Sequence, residues 1–345
     1  MTEPPEPEYR DLVAVGASAG GVEALRALAA GLPTDYPGSI LVVLHVPPSA
    51  PSALPHILRR SGSLPAGAAE DGEPLAAGRI YVAPADHHLL VLDGRLRLTR
   101  GPSENGHRPA IDPLFRSVAR VAGRRTVGVV LSGSRDDGAA GLAAITAAGG
   151  LAVVQDPDDA LCPWMPRAAM ARVVPDHVVP SAKLGGLLAE IAARPLPEGP
   201  NSMVDPILDA EVAMSGLAPL HTDEFALPAG YGCPDCGGSL FLVEDRPLPR
   251  FRCRVGHAWS PESLLDEQAV TLESALWMAL RSLEEKAALS RRMAAGRSLE
   301  GGADRFKAMA EDAETAGDTI RRLIARLGSS AASGETPPSG ATAPA

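Results

Sequence analysis

The chain has 345 residues, of which 45% are apolar and only 3% aromatic, and its formal net charge is −10. This length exceeds one typical domain, so we expect a large domain with a core of Ala, Val, Leu and Ile, together with smaller parts. The negative charge argues against nonspecific nucleic-acid binding, and the sequence has neither a signal-peptide pattern nor a membrane-spanning apolar run. We therefore expect a cytoplasmic protein without membrane insertion.

Short apolar runs without polar alternation predict buried strands in the first half of the chain. They begin at Asp11, Ser39, Thr126 and Gly150, and helical stretches such as "GGVEALRALAAGLP" and "PLFRSVARVAG" lie between them. This alternation predicts an α/β fold with a doubly wound, mostly parallel sheet. The segment "GRIYVAPADHHLLVLDGRLRLTRG" alternates more and has "DGR" at a turn, so it predicts an antiparallel hairpin added to that sheet.

Changes in composition divide the chain into five parts. A Pro-rich, acidic segment after the α/β part indicates a linker, and a cysteine cluster after it indicates a compact ribbon. Ser260 suits the N-cap of the next helix, and apolar residues three and four apart from Phe306 to Leu327 favour a helical hairpin. The predicted parts are an α/β domain at 9–195, a linker at 196–228, a zinc-ribbon-like module at 229–261, a helical hairpin at 262–327 and a disordered tail at 328–345.

The turn "GASAGG" after the first strand allows two interpretations of Ser18. The first is a phosphate-binding loop of a dinucleotide fold, which requires an acidic residue about 20 residues further on. The sequence has His45 at the end of the second strand instead, and Ser18 stands where such a loop needs its second glycine. The second interpretation is that Ser18 is a nucleophile, and these two departures favour it.

Polar residues follow three of the predicted strands: Ser18, His45, and the pair Asp136 and Asp137. Because the carboxyl ends of parallel strands meet at one edge of a sheet, we expect these side chains to lie close together. Serine, histidine and aspartate are the nucleophile, the base and the orienting acid of acyl transfer. Taken singly, each has an ordinary role as a helix cap or a core histidine. The pattern alone does not choose between Asp136 and Asp137.

Six motifs from about Leu12 to Val179, half of the chain, resemble the CheB-type chemotaxis protein-glutamate methylesterases. They are "VAVGASAGGVEAL", "VVLHVPP", "GRIYVAPADHHLLV", "RPAIDPLFRSVA", "VVLSGSRDDGAAGL" and "VVQDPDDALCPWMPRAAM". The resemblance implies that Ser18 is the nucleophile, His45 the general base and Asp137 the orienting acid. It also implies that main-chain N–H groups of Ala19 and Ser134 stabilise the oxyanion.

The implied reaction is hydrolysis of glutamyl γ-methyl esters on a receptor-like helical protein, with glutamine deamidation as a related activity and no cofactor for catalysis. The sequence departs from the family at the residue after the serine, where threonine is common and Ala19 stands here. It departs again at Ser134 and Arg135, where the family commonly has methionine and glycine. Members usually carry a receiver domain before the catalytic one. Because the first apolar run begins near Asp11, we expect none in this chain.

Cys233, Cys236, Cys253 and His257 have the spacing C-x2-C, a loop, then C-x3-H, which predicts a closed Cys3His site for structural Zn²⁺. A disulfide is the alternative, disfavoured in the cytoplasm. Arginines near the cluster make nucleic-acid binding conceivable, but the acidic chain and scarce aromatic residues argue against it. Cys162 lies outside the cluster and is interpreted as a packed small residue.

We weigh two main functions: a protein-glutamate methylesterase, and a signalling adaptor with a silent esterase site and a zinc-stabilised interaction module. The presence of Ser18, His45 and Asp137 favours the enzyme. A nucleotide-binding oxidoreductase ranks third. The apolar seam of the C-terminal helices suggests a homodimer.

Overall fold

One large parallel sheet organises the first half of the chain. The computed structural model describes residues 8–49, 52–196, 206–215, 226–243, 249–295 and 302–332. Within them, seven strands pair in parallel. They are β1 (Leu12–Ala17), β2 (Ser39–Leu44), β3 (Ala66–Ala68), β4 (Arg79–Val82), β7 (Thr126–Val130), β8 (Leu151–Gln155) and β9 (His177–Val179). The spatial order is β3-β4-β2-β1-β7-β8-β9, which confirms the predicted α/β fold class.

Six helices in the described residues accompany the sheet, and they explain why its strands are apolar on both faces. They are α1 (Gly21–Ala30), α2 (Leu54–Ser61), α3 (Ile111–Ala122), α4 (Ala139–Ala147), α5 (Trp164–Arg172) and α6 (Ser181–Ala192). Alternate residues of β1 enter two different cores: Val13 and Val15 join α1, α2 and α6, whereas Leu12 and Ala14 join α3, α4 and α5. Burial on both sides removes the polar alternation that a half-exposed strand would show.

The chain order places a switch point at the centre of the sheet. From β1 the chain builds outward through β2 and β4 on one side, and later returns through β7 and β8 on the other. Loops that leave β1 and β7 therefore diverge, which opens a crevice at the carboxyl ends of these strands. Functional groups of open α/β sheets collect at such a crevice.

The predicted antiparallel hairpin differs in one respect from the observed one. Residues Arg79–Val82 form β4 of the parallel sheet, and only β5 (His88–Leu92) and β6 (Arg95–Thr99) pair in antiparallel fashion. The hairpin forms its own two-stranded sheet rather than an extension of the large one. Its apolar residues Leu89, Val91 and Leu96 pack in the same core as α3.

The segment predicted as a linker contains a helix, α7 (Pro206–Ser215), which packs against α3. The flanking residues 197–205 and 216–225 lie outside the described residues. Beyond them, the part of the chain that the structure describes has four antiparallel strands in a small sheet: β10 (Leu227–Gly232), β11 (Ser239–Val243), β12 (Arg250–Cys253) and β13 (Ala258–Trp259). Leu240, Phe251, Trp259 and Leu264 form its core together with two of the cysteines.

Residues Met1–Leu264 and Leu265–Ala345 form two separate units. The second unit contains most of α8 (Pro261–Ala295) and all of α9 (Gly302–Ala332). Arg321 of α9 pairs with Glu284 of α8, whereas Glu314, earlier in α9, pairs with Arg291, later in α8. The two helices are therefore antiparallel. The tail was predicted to begin at residue 328, but α9 continues to Ala332, and the residues beyond it lie outside the described part of the chain. No helix in the described part of the chain is long and apolar enough to cross a bilayer.

Candidate active site and metal centre

Ser18 and His45 meet at the carboxyl ends of β1 and β2. The Ser18 Oγ lies 3.2 Å from His45 Nδ1, and the His45 side chain is only 5% exposed. Main-chain bonds hold both residues, because Ser18 N–H donates to Ser132 O and His45 N–H donates to Ala17 O. The N-cap of α1 is Gly20, without a side-chain capping bond, so Ser18 does not cap this helix. Its hydroxyl faces an imidazole.

Asp137 accepts a hydrogen bond from the other ring nitrogen, with 2.8 Å between His45 Nε2 and Asp137 Oδ2. A proton on Nε2 leaves the Nδ1 lone pair directed at the serine hydroxyl, which is the tautomer that a general base needs. The Asp137 carboxylate also accepts hydrogen bonds from the main-chain N–H groups of Ile111 and Asp112 and from the Asn105 amide. The Asp137 side chain is 1% exposed.

Several contacts keep the buried carboxyl of Asp137 ionised. Burial by itself raises the pKa of Asp137, but the hydrogen bond and charge of His45 and the N–H of Ile111 together hold that pKa below its usual range. Ile111 is the first residue of α3, so the positive end of the helix dipole also faces the carboxylate. A carboxylate that stays charged can orient the imidazole and stabilise its protonated form.

Asp112 was missed by the sequence analysis, although it lies inside the "RPAIDPLF" motif. Its Oδ1 accepts the N–H groups of Gly138 and Gly141 at the start of α4. Asp137 thus receives N–H groups from the start of α3, while Asp112 of α3 receives those at the start of α4. Burial, and then the charge of Asp137, raise the pKa of Asp112. This reciprocal arrangement fixes the loop that carries Asp137.

Asp136 turns away from the histidine. Its Oδ1 accepts hydrogen bonds from the hydroxyls of Ser260 and Ser263, at 2.7 and 2.9 Å. Burial raises its pKa, opposed by these two bonds. The geometry therefore distinguishes the adjacent acids that the strand-end pattern left equivalent: Asp137 contacts His45, and Asp136 contacts the start of α8.

The predicted oxyanion residues Ala19 and Ser134 lie on exposed turns near Ser18. Ala19 follows the serine directly, and its carbonyl accepts the Ser132 hydroxyl. Ser134 follows Gly133, where an added Cβ would lie 2.9 Å from the Ser18 Cβ. Gly133 thus lets the turn that contains Ser134 approach Ser18. The turns of Ala19 and Ser134 therefore lie on the same side of the site.

His107 is a second residue that the sequence analysis did not identify. Its ring stacks on that of His45, with 3.7 Å between ring centroids and an interplanar angle of 15°. Burial, and then the nearby His45, lower the pKa of His107 to about 4. A neutral ring at this position covers one face of the His45 imidazole without competing for its proton. No periodicity marks it, because it lies in the irregular "ENGHRP" segment.

Cys233, Cys236, Cys253 and His257 come together in the small sheet, with their ligand atoms all within 4.8 Å of one another. The distances are 3.7 Å for Cys233 Sγ to His257 Nδ1, 3.7 Å for Cys236 Sγ to Cys253 Sγ, and 3.5 Å for Cys253 Sγ to His257 Nδ1. A tetrahedral Zn²⁺ with thiolate and imidazole ligands gives edges of about 3.5–3.8 Å. These four residues fit a metal ion. Cys162 lies apart from them and is half-buried.

Comparisons with known proteins agree with this architecture. The family model described as CheB methylesterase matches residues 13–188. A "Protein-glutamate methylesterase/protein-glutamine glutaminase 2" of Pseudomonas aeruginosa is 38% identical over 187 residues, which cover 53% of each chain. The same-named protein of Xanthomonas oryzae pv. oryzae is 40% identical over 187 residues, or 53% of this chain and 52% of the relative.

Among solved structures, the Thermotoga maritima CheB methylesterase catalytic domain matches with 30% identity and a TM-score of 0.50, covering 52% of this chain and 97% of that domain. The chain spans about half the length of the curated relatives it matches. The residues matched by the family model fall in the α/β half. The Cys3His module and the two long helices lie beyond the matched residues 13–188.

Proposed function

Because the chain belongs to the CheB methylesterase family, we propose that it is a protein-glutamate methylesterase that acts through Ser18, His45 and Asp137. Its substrate is a glutamyl γ-methyl ester on a receptor-like helical protein, and glutamine deamidation by the same residues is a related activity. The observation that carries the proposal is the continuous hydrogen-bond path from Ser18 Oγ through both ring nitrogens of His45 to Asp137.

The proposed reaction has two steps. Ser18 Oγ attacks the ester carbonyl while His45 Nδ1 takes the hydroxyl proton, and the same nitrogen then gives that proton to the departing methoxide, which leaves as methanol. Water next loses a proton to His45 and attacks the acyl-enzyme carbonyl. His45 gives this proton to Ser18 Oγ as the acyl bond breaks, which restores the serine and leaves a glutamate side chain. With glutamine as substrate, ammonia leaves in place of methanol. Asp137 stabilises the imidazolium formed in each step.

Main-chain N–H groups of Ala19 and Ser134 are the proposed donors to the oxyanion. Both turns are exposed and lie beside Ser18, where the carbonyl oxygen of a bound ester would develop negative charge. Donors that are already in place cost no reorganisation when the charge appears. Because these are main-chain groups, the departures from the family's usual residues at 19 and 134 keep the donors.

The test is methanol release from a methylated receptor fragment by the full chain. We expect Ser18→Ala to lower the rate at least about 10³-fold, since removal of a triad nucleophile has effects of that order or more. Cys162→Ala is the control for a second nucleophile and leaves release unchanged. Undiminished release by Ser18→Ala contradicts the proposal. A wild-type chain that binds the receptor fragment but releases no methanol indicates the adaptor function instead.

We also propose that the Cys3His site holds structural Zn²⁺. The ligand spacing and the tetrahedral edge distances support zinc, and four protein ligands leave no position for a reacting water. Metal analysis of the purified full chain is expected to give one zinc per chain, and loss of the metal in Cys253→Ser tests the assignment. The cytoplasmic location, the homodimer through the C-terminal helices and the absence of nucleic-acid binding stay predictions.

A further inference from the structure

A short segment, residues 103–107, lies between the candidate catalytic residues and the Cys3His module; we call it the 103–107 segment. On the catalytic side, Asn105 Nδ2 donates to Asp137 Oδ1 at 3.2 Å, and His107 stacks on His45. Asn105 is 4% exposed and has a φ of 52°, in the left-handed region that asparagine tolerates better than most residues. The segment therefore contacts both the base and its orienting acid.

On its other side, the same segment is bonded to residues next to the proposed metal ligands. Asn105 N–H donates to the carbonyl of Ala258, which follows His257, and Ser260 N–H donates to Asn105 Oδ1. Ser103 Oγ donates to Asp235, between Cys233 and Cys236, at 2.7 Å. Asn105 thus uses its main chain and both ends of its amide. The side chain cannot rotate while the module is in place.

A second connection reaches the loop of the catalytic acid itself. The hydroxyls of Ser260 and Ser263 donate to Asp136, the residue directly before Asp137. Ser260 follows Trp259, whose indole lies against Gly106. The corner between β13 and α8 therefore contacts the 103–107 segment and the loop of Asp137 together.

Buried ion pairs fix the module against the α/β domain. Arg252, next to Cys253, pairs with Glu104 of the 103–107 segment and with Glu211 of α7. Glu104 also pairs with Arg116 of α3, and Glu211 with Arg250. Each of these residues is less than a tenth exposed. Separation of the module would take Arg250 and Arg252 away from their carboxylate partners, which is unfavourable.

We propose that metal in the Cys3His module holds the catalytic acid in place through Asn105, so that the reactivity of Ser18 depends on the metal. This inference rests on the proposed function and on the proposed zinc site. Without the metal, the loops around Asp235 and His257 lose the cross-link that closes them. The Ala258 carbonyl and the Ser260 N–H, which are the partners of Asn105 in the module, then lose their fixed positions, and the Asp137 carboxylate loses an orienting amide. Asn105 is a positioning residue.

The experiment measures the rate at which a fluorophosphonate labels Ser18 in the zinc-loaded full chain. We expect chelation to slow labelling about 10-fold to 100-fold, the range seen when an orienting partner of a site is lost, and added zinc to restore it. Asn105→Ala keeps the four metal ligands and is expected to slow labelling of Ser18 by a similar factor. Chelation of this variant is expected to slow labelling little further. The downfield NMR resonance of the proton between His45 and Asp137 weakens in both cases, which a merely structural loss elsewhere would not produce.

The proposal is overturned if the chelated and zinc-loaded chains are labelled equally fast, if Asn105→Ala is labelled as fast as the wild type, or if the effects of Asn105→Ala and chelation multiply. A chain that binds no zinc overturns it as well. If zinc-loaded wild type leaves Ser18 unlabelled, the esterase function fails on its own. In that case hydrogen exchange tests the connection between the Cys3His module and Asn105. If the amides of Asn105 and Ser260 stay protected after chelation, the proposal is contradicted.

Discussion

The parallel sheet and the Cys3His module are built by different physical means. Every residue of β1 is buried, and alternate side chains enter two extensive apolar cores. The module has one small cluster of buried apolar residues, which includes Cys233 and Cys253 themselves. A sheet covered on both faces is stabilised by apolar burial, whereas a small sheet of this size needs a further cross-link. Yet both regions contact Asp137 or its neighbours, so the candidate site depends on both.

Removal of the metal is expected to give the largest difference between the two regions. Structural zinc contributes on the order of 10 kcal/mol to the folding of a small domain, so Cys253→Ser disrupts the module. Hydrogen exchange of the full chain is the measurement. We expect the amides of β11 and β12 to lose protection while those of β1 and β7 keep theirs. Equal loss in both sheets would show that the sheet, too, depends on the metal.

Close packing of α1 against α6 gives the next largest effect, within the α/β domain alone. A Cβ added at Gly185 would lie 2.6 Å from the Gly31 Cα and from the Leu28 carbonyl oxygen, both in the backbone. We expect Gly185→Ala to lower the free energy of unfolding by about 2–3 kcal/mol, measured in urea. Zinc content should not change, because α6 has no part in the module.

The adjacent Gly186 is the matched control for this substitution. Nothing lies within 4 Å of a Cβ added there. Gly186→Ala also lies inside α6, so the gain in helix propensity is expected to raise stability by about 0.5–1 kcal/mol. Equal effects at the two positions would contradict the packing of α1 on α6.

The stacked His107 predicts a smaller, pH-dependent effect where the two regions meet. Its pKa falls from 6.5 to about 4 in the folded chain, first because of burial and then because of His45. A depressed pKa means that the full stability is present above about pH 6.5 and is lost as the pH falls towards 4. Relative to His107→Gln, the wild type should lose about 2 kcal/mol between pH 7 and pH 4. Urea unfolding at a series of pH values measures this difference, and parallel curves would contradict it.

The strand-end pattern predicted which residues would meet, and geometry decided which of them touch. Ser18, His45 and the aspartate pair all follow strands of an uninterrupted apolar pattern, so their common edge was predictable. Asp137 and Asp136 differ only in side-chain direction, because one faces His45 and the other faces Ser260 and Ser263. His107, Asp112 and Asn105 carry no periodic signal. Their importance arises from contacts between segments far apart in the chain.

The C-terminal helices show the same limit. The predicted seam from Phe306 to Leu327 included Ala313, which is buried, and Ala316, which is exposed, and the other buried positions among the described side chains of α9 are Ala310 and Gly317. Residues three and four apart define a stripe, but the partner helix decides which edge of that stripe it covers.

Short sequence patterns by themselves determined the α/β class, the residues at the strand ends and the Cys3His spacing. Apolar residue types reveal buried strands, and the type and spacing of Cys and His residues reveal a metal site. Only the tertiary structure decided that the module is bonded to the loops around Asp137. That contact is made by main-chain groups, an asparagine amide and buried ion pairs. Hydrogen bonds and ion pairs depend on direction and distance between remote segments, which residue order does not encode in any short pattern.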